Sequence, residues 1–376
     1  MKNIFKLASL LTAAVMLVAC RGNNDDPNQG QTGSGKLEIT TDKTLIQSNG
    51  SDIATLTVTL DGAVVKDGVE FFDAKNNPLD IVDGKFSVTA PGEYQVWATY
   101  GTAYSDKVTI RAITIPVPAT PSDPKPASTD FKARVLLTQF TGVQCGVCPK
   151  MMHLLHPILD DPNEDRLVWV AAHTGFNSGD PAYLSPHYSE EMKVAGYPYA
   201  VIDHYYGFEW YDFQSSEALS EVIDECISVK KDVAAGIAVN VKLSGRDVVA
   251  KVSVKSPVNA NYKLGGFLLE DGLYAVQQNA DESWMNTHNA CIRYIDAGYD
   301  FKGCSLGTIP EGQVMDYVFV WNIDEIWKSN AIYWDECVVE NLRVAFFVST
   351  TDANGNYYVN NAVECAVNSQ LSFEYK

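Results

Sequence analysis

The chain has 376 residues, 46% hydrophobic and 20% charged, with 28 basic residues against 47 acidic and a net charge of −19. That length predicts two or three domains, and a composition this balanced excludes disorder, collagen and a multi-span membrane protein. So acidic a body repels phosphate backbones and anionic headgroups, which argues against any nucleic-acid partner.

In chain order, residues 1–19 read as a secretory signal. Lys2 and Lys6 make a basic start, and Leu7 to Ala19 is largely apolar. About a dozen apolar residues suit export and are too few to span a bilayer core of about 30 Å. Leu17-Val18-Ala19-Cys20 resembles the lipobox of bacterial lipoproteins, in which the cysteine is acylated and becomes the first residue. Plain signal-peptidase cleavage beside an incidental cysteine is the alternative. Residues 20–35 hold almost nothing to bury and are expected to form a flexible tether. A lipid anchor on Cys20, of palmitate type, attaches a protein without a transmembrane helix. No later segment reaches about 18 consecutive apolar residues. The expectation is therefore a cell-envelope lipoprotein anchored to the outer membrane, on its periplasmic face or at the surface.

Three folded units are expected after the tether, a multidomain combination of all-β and α/β parts. Residues 36–115 alternate apolar residues with threonine, as in Ala54-Thr55-Leu56-Thr57-Val58-Thr59-Leu60, and predict an immunoglobulin-like β-sandwich. Residues 116–130 carry five prolines and read as a stiff linker. Residues 131–232 alternate buried strands with helices, and residues 233–376 return to strand alternation, which predicts a C-terminal β-sandwich. In the last unit Asn354-Gly355 marks a hairpin turn.

The chemistry centres on Cys145 and Cys148. The apolar run Arg134 to Phe140 turns through Thr141 to Gln144 into Cys145-Gly146-Val147-Cys148-Pro149, followed by apolar residues at helical spacing (Met151, Leu154, Leu155, Ile158). A cysteine at a helix N-terminus meets unpaired N–H groups and the positive end of the dipole, which favour its thiolate. Cys145 is thus the expected attacking sulfur and Cys148 the resolving one, the two forming a reversible disulfide. Structural zinc takes four ligands and no partner C-x-x-C exists, so no metal or other cofactor is expected. Asp160 to Asp165 is acidic but lacks the glycine and closing glutamate of a calcium loop. Some fifty residues after the cysteines, Tyr197-Pro198 precedes the apolar run Tyr199 to Ile202. In thioredoxin-like proteins a cis-proline at that point lies opposite the disulfide and its neighbouring backbone pairs with extended substrate peptide. Tyr197 and Pro198 are the expected substrate-binding residues, and exported proteins or extended peptides the expected partners.

Leu137-Thr138-Gln139-Phe140-Thr141-Gly142 leading into the two cysteines resembles the outer-membrane-protein-28-related lipoproteins of Bacteroidetes, as do Glu270-Asp271-Gly272-Leu273, Gln277, His288-Asn289 and Arg293. The resemblance covers residues 131 to the C-terminus and implies a thioredoxin-like domain followed by a β domain on an envelope lipoprotein. Gln144 stands where thioredoxins place a tryptophan, and Gly-Val replaces Gly-Pro between the cysteines. Of the five remaining cysteines, Cys291–Cys304 and Cys337–Cys365 are the expected disulfides, with Cys226 buried in a helix; other pairings remain open. Two functions follow. One is thiol–disulfide exchange on exported proteins through Cys145 and Cys148; the other is an adhesin-like binding lipoprotein in which that bridge is only structural.

Overall fold

The computed structural model describes residues 35–175, 179–330, 334 and 336–376. The signal segment, Cys20 and the tether lie outside the described residues. The chain is mostly β-structure with all-β and α/β parts, and it divides into two compact units.

The first unit takes 35–42, 55–86 and 94–109. Strand Leu37–Thr41 runs antiparallel to Ala54–Leu60, and Val69–Asp73 runs antiparallel to Gly92–Tyr100. The apolar half of the alternation (Leu37, Ile39, Leu56, Val58, Phe71, Val96) is buried. Threonines such as Thr55 and Thr57 face solvent, because successive strand side chains point to opposite faces.

The second unit takes 43–54, 87–93 and 110–376. Its proline-rich stretch is extended but not free. Asn240 Nδ2 donates to Ala119 O (2.7 Å), and Lys255 Nζ donates to Asp123 Oδ2 (2.9 Å) and Pro126 O (2.6 Å). Proline supplies carbonyls and no N–H, so its partners come from side chains beside it.

A nine-stranded sheet carries the cysteines. Its strands are β1 (Val135–Thr141), β2 (Leu167–His173), β3 (Tyr199–Ile202), β4 (Tyr206–Phe208), β7 (Ala260–Glu270), β8 (Cys291–Asp296), β9 (Cys304–Ile309), β11 (Leu342–Thr351) and β12 (Tyr357–Ala366). Their order is β4-β3-β1-β2-β8-β7-β11-β12, with β9 also on β7. The second sheet orders β10 (Val314–Asn322), β6 (Asp247–Lys255), β5 (Gly236–Ser244) and β13 (Gln370–Leu371).

β1 is buried throughout because both its faces are covered. Val135 and Leu137 pack under α1 (Cys148–Leu159) and α3 (Ser216–Lys230), which follow the short helix α2 (His187–Glu191) in numbering. Leu136 and Phe140 face the other way, onto Phe267, Leu269, Phe347 and Ala362 of β7, β11 and β12. The sheet therefore folds back on itself. The far side of β7 and β11 (Leu264, Leu268, Val344, Phe346) packs on Val239, Val252 and Phe319 of the second sheet. At the crossing β7 carries Gly265-Gly266. A Cβ on Gly265 would lie 2.3 Å from the Phe347 ring, and one on Gly266 would lie 2.8 Å from Trp321.

This arrangement differs from the expected break between 232 and 233. β1 and β2 pair in parallel, and β8, from beyond that break, adds in parallel to the free edge of β2: Ala171 N donates to Ala290 O (2.8 Å). An uncovered strand edge leaves N–H and C=O groups unpaired, and β8 satisfies them. One sheet and one continuous core thus cross the expected boundary.

The fold-back is pinned by a buried ion pair. Lys230 Nζ, at the end of α3, lies 2.6 Å from Asp203 Oδ2 and also donates to Val359 O of β12 (3.3 Å). Asp203 accepts from Leu136 N of β1, and its own carbonyl accepts from Val359 N. Removing one partner of a buried pair strands the other charge. Lys230→Met is expected to lower the unfolding free energy by about 3–5 kcal/mol in urea titration, and Lys230→Met/Asp203→Asn to recover part of it. A single-variant loss below about 1 kcal/mol, the worth of an exposed pair, contradicts the pinning role.

Candidate functional site

β1 ends at Thr141, the chain turns, and α1 begins at Cys148. Pro149 sits in the first helical turn, where its missing N–H costs nothing. Cys145 N donates to Gly142 O (3.0 Å) and Cys148 N to Cys145 O (3.2 Å), winding the loop tightly enough that the two cysteines, 5.3 Å apart at Cα, form a disulfide. The Tyr197–Pro198 bond is cis. β3 runs antiparallel to β1 with Tyr199 opposite Phe140, so Pro198 falls at the end of the sheet where β1 passes into the cysteine loop.

An attacking sulfur at Cys145 would have to be reachable from solvent, and neither cysteine is open. Cys145 is 4% exposed and Cys148 is fully buried. The loop is covered by the segment between β7 and β8. Gln277 Nε2 donates to Cys145 O (2.9 Å), Gln278 N to Val143 O (2.7 Å) and Asn279 Nδ2 to Gly146 O (3.0 Å). The same segment grips α1, with Asp281 on His153 Nε2 (2.9 Å) and Trp284 stacked on His156 (4.0 Å between centroids).

The polar residues of the second sequence motif hold this segment in place. Asp271 Oδ1 accepts from Ala290 N (2.7 Å), Asn289 Oδ1 from Gly272 N (2.8 Å), and His288 Nε2 meets Ala275 O (3.1 Å). At its root Arg293 Nε donates to Glu270 Oε2 (2.7 Å), both side chains buried, with the guanidinium 4.6 Å from the Trp334 ring.

Beneath the loop lies a pair that the sequence reading missed. His173 Nδ1 is 2.9 Å from Asp180 Oδ2, which also accepts from Val143 N (3.0 Å). Burial disfavours the imidazolium, but the Asp180 carboxylate and Cys291 outweigh it and raise the His173 pKa to about 10. Burial and the neighbouring His173 charge push His288 down to about 4. Burial raises the Asp180 carboxyl, but the His173 charge and the hydrogen bonds from His173, Val143 and Ala182 outweigh it, for a net depression. Cys291 Sγ lies 3.8 Å from His173 Nε2. The row Cys291–His173–Asp180 has the order of a nucleophile relay, but Cys291 is 0% exposed, so no external electrophile reaches its sulfur.

The other expected disulfides are not formed: Cys226, Cys291, Cys304, Cys337 and Cys365 are free. Cys291 stands opposite Glu270 and Cys304 opposite Leu264 on β7. Six residues of strand separate those partners by about 20 Å, well beyond the roughly 7 Å a disulfide bridges. Cys337 and Cys365 each pack against the core shared with the second sheet. Burial pushes the Cys337 thiol up to about 11 and raises Cys365. Cys226 is half-buried on α3 and likewise raised to about 11. The aromatic run 204–213 is mainly packing: Phe208 is buried against Phe213, while Trp210 lies under Lys150 Nζ at 4.1 Å. Among the described residues no His, Cys, Asp and Glu cluster has a metal-holding arrangement, and no helix is long and apolar enough to cross a membrane.

A disulfide at a helix start, sealed by a segment of the same sheet, defines a mixed β and α/β protein with a covered C-x-x-C bridge. Comparison with known proteins places it further only by shape. HBP35 of Porphyromonas gingivalis is similar in fold, with a TM-score of 0.50 at 16% identity over 64% of this chain and 77% of that one. Two other solved structures align with TM-scores too low to carry weight. Catalytically inactive OgpA from Akkermansia muciniphila gives 0.18 at 12% identity, over 37% of this chain and 30% of that one. Domains 4–9 of the surface layer protein SbsC give 0.17 at 8% identity, over 90% and 52%. No family model and no curated protein matches, so the likeness to the outer-membrane-protein-28-related lipoproteins stands on its motif residues alone.

The His173 charge makes a pH prediction. A histidine whose folded pKa is raised stabilises fully below its unfolded value of 6.5, and that stabilisation drains away as pH climbs to about 10. The stability advantage of wild type over His173→Gln is expected to shrink steadily from pH 6.5 to pH 10 in urea unfolding. An advantage constant across that range contradicts a charged His173.

Proposed function

We propose that this protein is a lipid-anchored envelope lipoprotein with a thioredoxin-like layer, and that it works by binding rather than by disulfide exchange. The thioredoxin-like assignment is supported by the strand order β4-β3-β1-β2 with β8 beside β2, by the C-x-x-C at the start of α1, and by Pro198 ahead of β3. The anchor rests on Leu17-Val18-Ala19-Cys20, whose likeness to a lipobox supports acylation at Cys20, and the outer membrane as its address rests on the resemblance to the outer-membrane-protein-28-related lipoproteins. The partners that suit such a protein are exported proteins or extended peptides at the envelope.

One observation carries the choice of binding over exchange: Cys145 is covered by Gln277, Gln278 and Asn279, each hydrogen-bonded to its loop. Exchange requires an incoming thiolate to approach a disulfide sulfur in line with the S–S bond. The exchange reading retains one observation in its favour, the cysteine loop at the N-terminus of α1, where no side chain caps the free N–H groups. It requires the segment between β7 and β8 to lift.

Insulin reduction by dithiothreitol separates the two. The protein is expected to leave the precipitation rate at the level of buffer, and its own bridge to be reduced at least tenfold more slowly than in the urea-unfolded chain. Gln277→Ala is expected to speed that reduction. Catalytic turnover of insulin by wild type overturns the binding reading. The anchor is checked separately by labelled palmitate, expected to enter wild type in cells and not Cys20→Ala; equal labelling of both contradicts the assignment.

A further inference from the structure

Beside the covered bridge, between α1, the ends of β1 and β2, and the segment between β7 and β8, lies a cleft of about 280 Å³. Its lining brings together Gln139, Thr141, Trp169, His156, Trp284 and Asn289. Gln139, in that lining, is 4% exposed. The Trp169 indole Nε1 is buried and meets no acceptor among the described residues. Nearly all buried polar groups find a partner, so a buried indole N–H left open at a cleft points to a partner from outside the chain.

We infer that this cleft binds a neutral hydroxylated ring of monosaccharide size. This deepens the binding reading above and rests on it. Size sets the first limit. At about 30 Å³ per water the cleft holds roughly nine waters, just under the roughly 300 Å³ where pockets for drug-sized ligands begin, which is room for one six-membered ring. Charge sets the second. The His173 ring in the lining is already paired with Asp180 at 2.9 Å, and Asp160, just past the end of α1, is exposed, so neither offers a free buried charge to a charged ligand. Chemistry sets the third. The Gln139 amide offers donors and an acceptor, Trp169 a donor and Thr141 a hydroxyl, a mixture matched by ring hydroxyls that give and accept together. Trp284, braced by its stack on His156, adds a flat apolar wall suited to the C–H face of such a ring.

The test is titration of the intact ¹⁵N-labelled protein with glucose, galactose and N-acetylglucosamine, each at millimolar concentration, following the indole N–H signals. At least one sugar is expected to shift the Trp169 signal, assigned by its loss in Trp169→Phe. Gln139→Leu, which keeps the bulk of the side chain and removes its hydrogen bonds, is expected to weaken that sugar roughly five- to tenfold. An unmoved Trp169 signal with all three sugars overturns the inference without help from any variant, and so does a shift of equal affinity in a folded Gln139→Leu protein. Either of these, with a bridge that still fails to turn insulin over, leaves the binding reading intact; insulin turnover removes the reading itself.

Discussion

The structure of the site depends on a short parallel seam. Where β2 would otherwise end the α/β part of the sheet with an open edge, β8 pairs with it through Ala171 and Ala290. That seam anchors one end of the segment between β7 and β8, and the buried Glu270–Arg293 pair fastens its two roots together. Between those roots the segment crosses the cysteine loop at the start of α1, with Gln277 and Asn279 hydrogen-bonded to it.

The electrostatics beneath the loop follow from the same closure. The Asp180 carboxylate is fully buried and is held by His173 and by backbone N–H groups of Val143 and Ala182. Burial, with the charge on His173, holds the His288 pKa down, and its ring meets the Ala275 carbonyl inside the covering segment. Loop, ion pair and cover therefore form one hydrogen-bonded body, and in the lining of the cleft beside them the Trp169 indole N–H is left without a partner among the described residues.

Much of the local architecture is legible in the amino-acid order. The run Val135 to Thr141 followed by Cys-x-x-Cys and a helical pattern, the Tyr197-Pro198 step before a strand, and the Asn354-Gly355 turn all depend on neighbours within a few residues. What escaped is long-range. Cys291 reads as a staple because nothing around it reveals that its strand inserts beside β2, more than a hundred residues earlier. His173 and Asp180 show no spacing that marks a pair, and Gln277 becomes a cover for Cys145 only through the seam. The polar motif around Glu270, His288 and Arg293 is visible as a pattern, yet only the structure shows that its hydrogen bonds hold the cover.

The central claim is that the cover over Cys145 is part of the folded core and not a loose flap. Native-state hydrogen exchange at two backbone amides measures this directly: Gln278 N–H, which donates to Val143 O, and Val143 N–H, which donates to Asp180. The account predicts that both exchange only through the large-scale opening that also frees the amides of β1. Exchange of either amide at the rate of an unstructured peptide, while β1 remains protected, would contradict it.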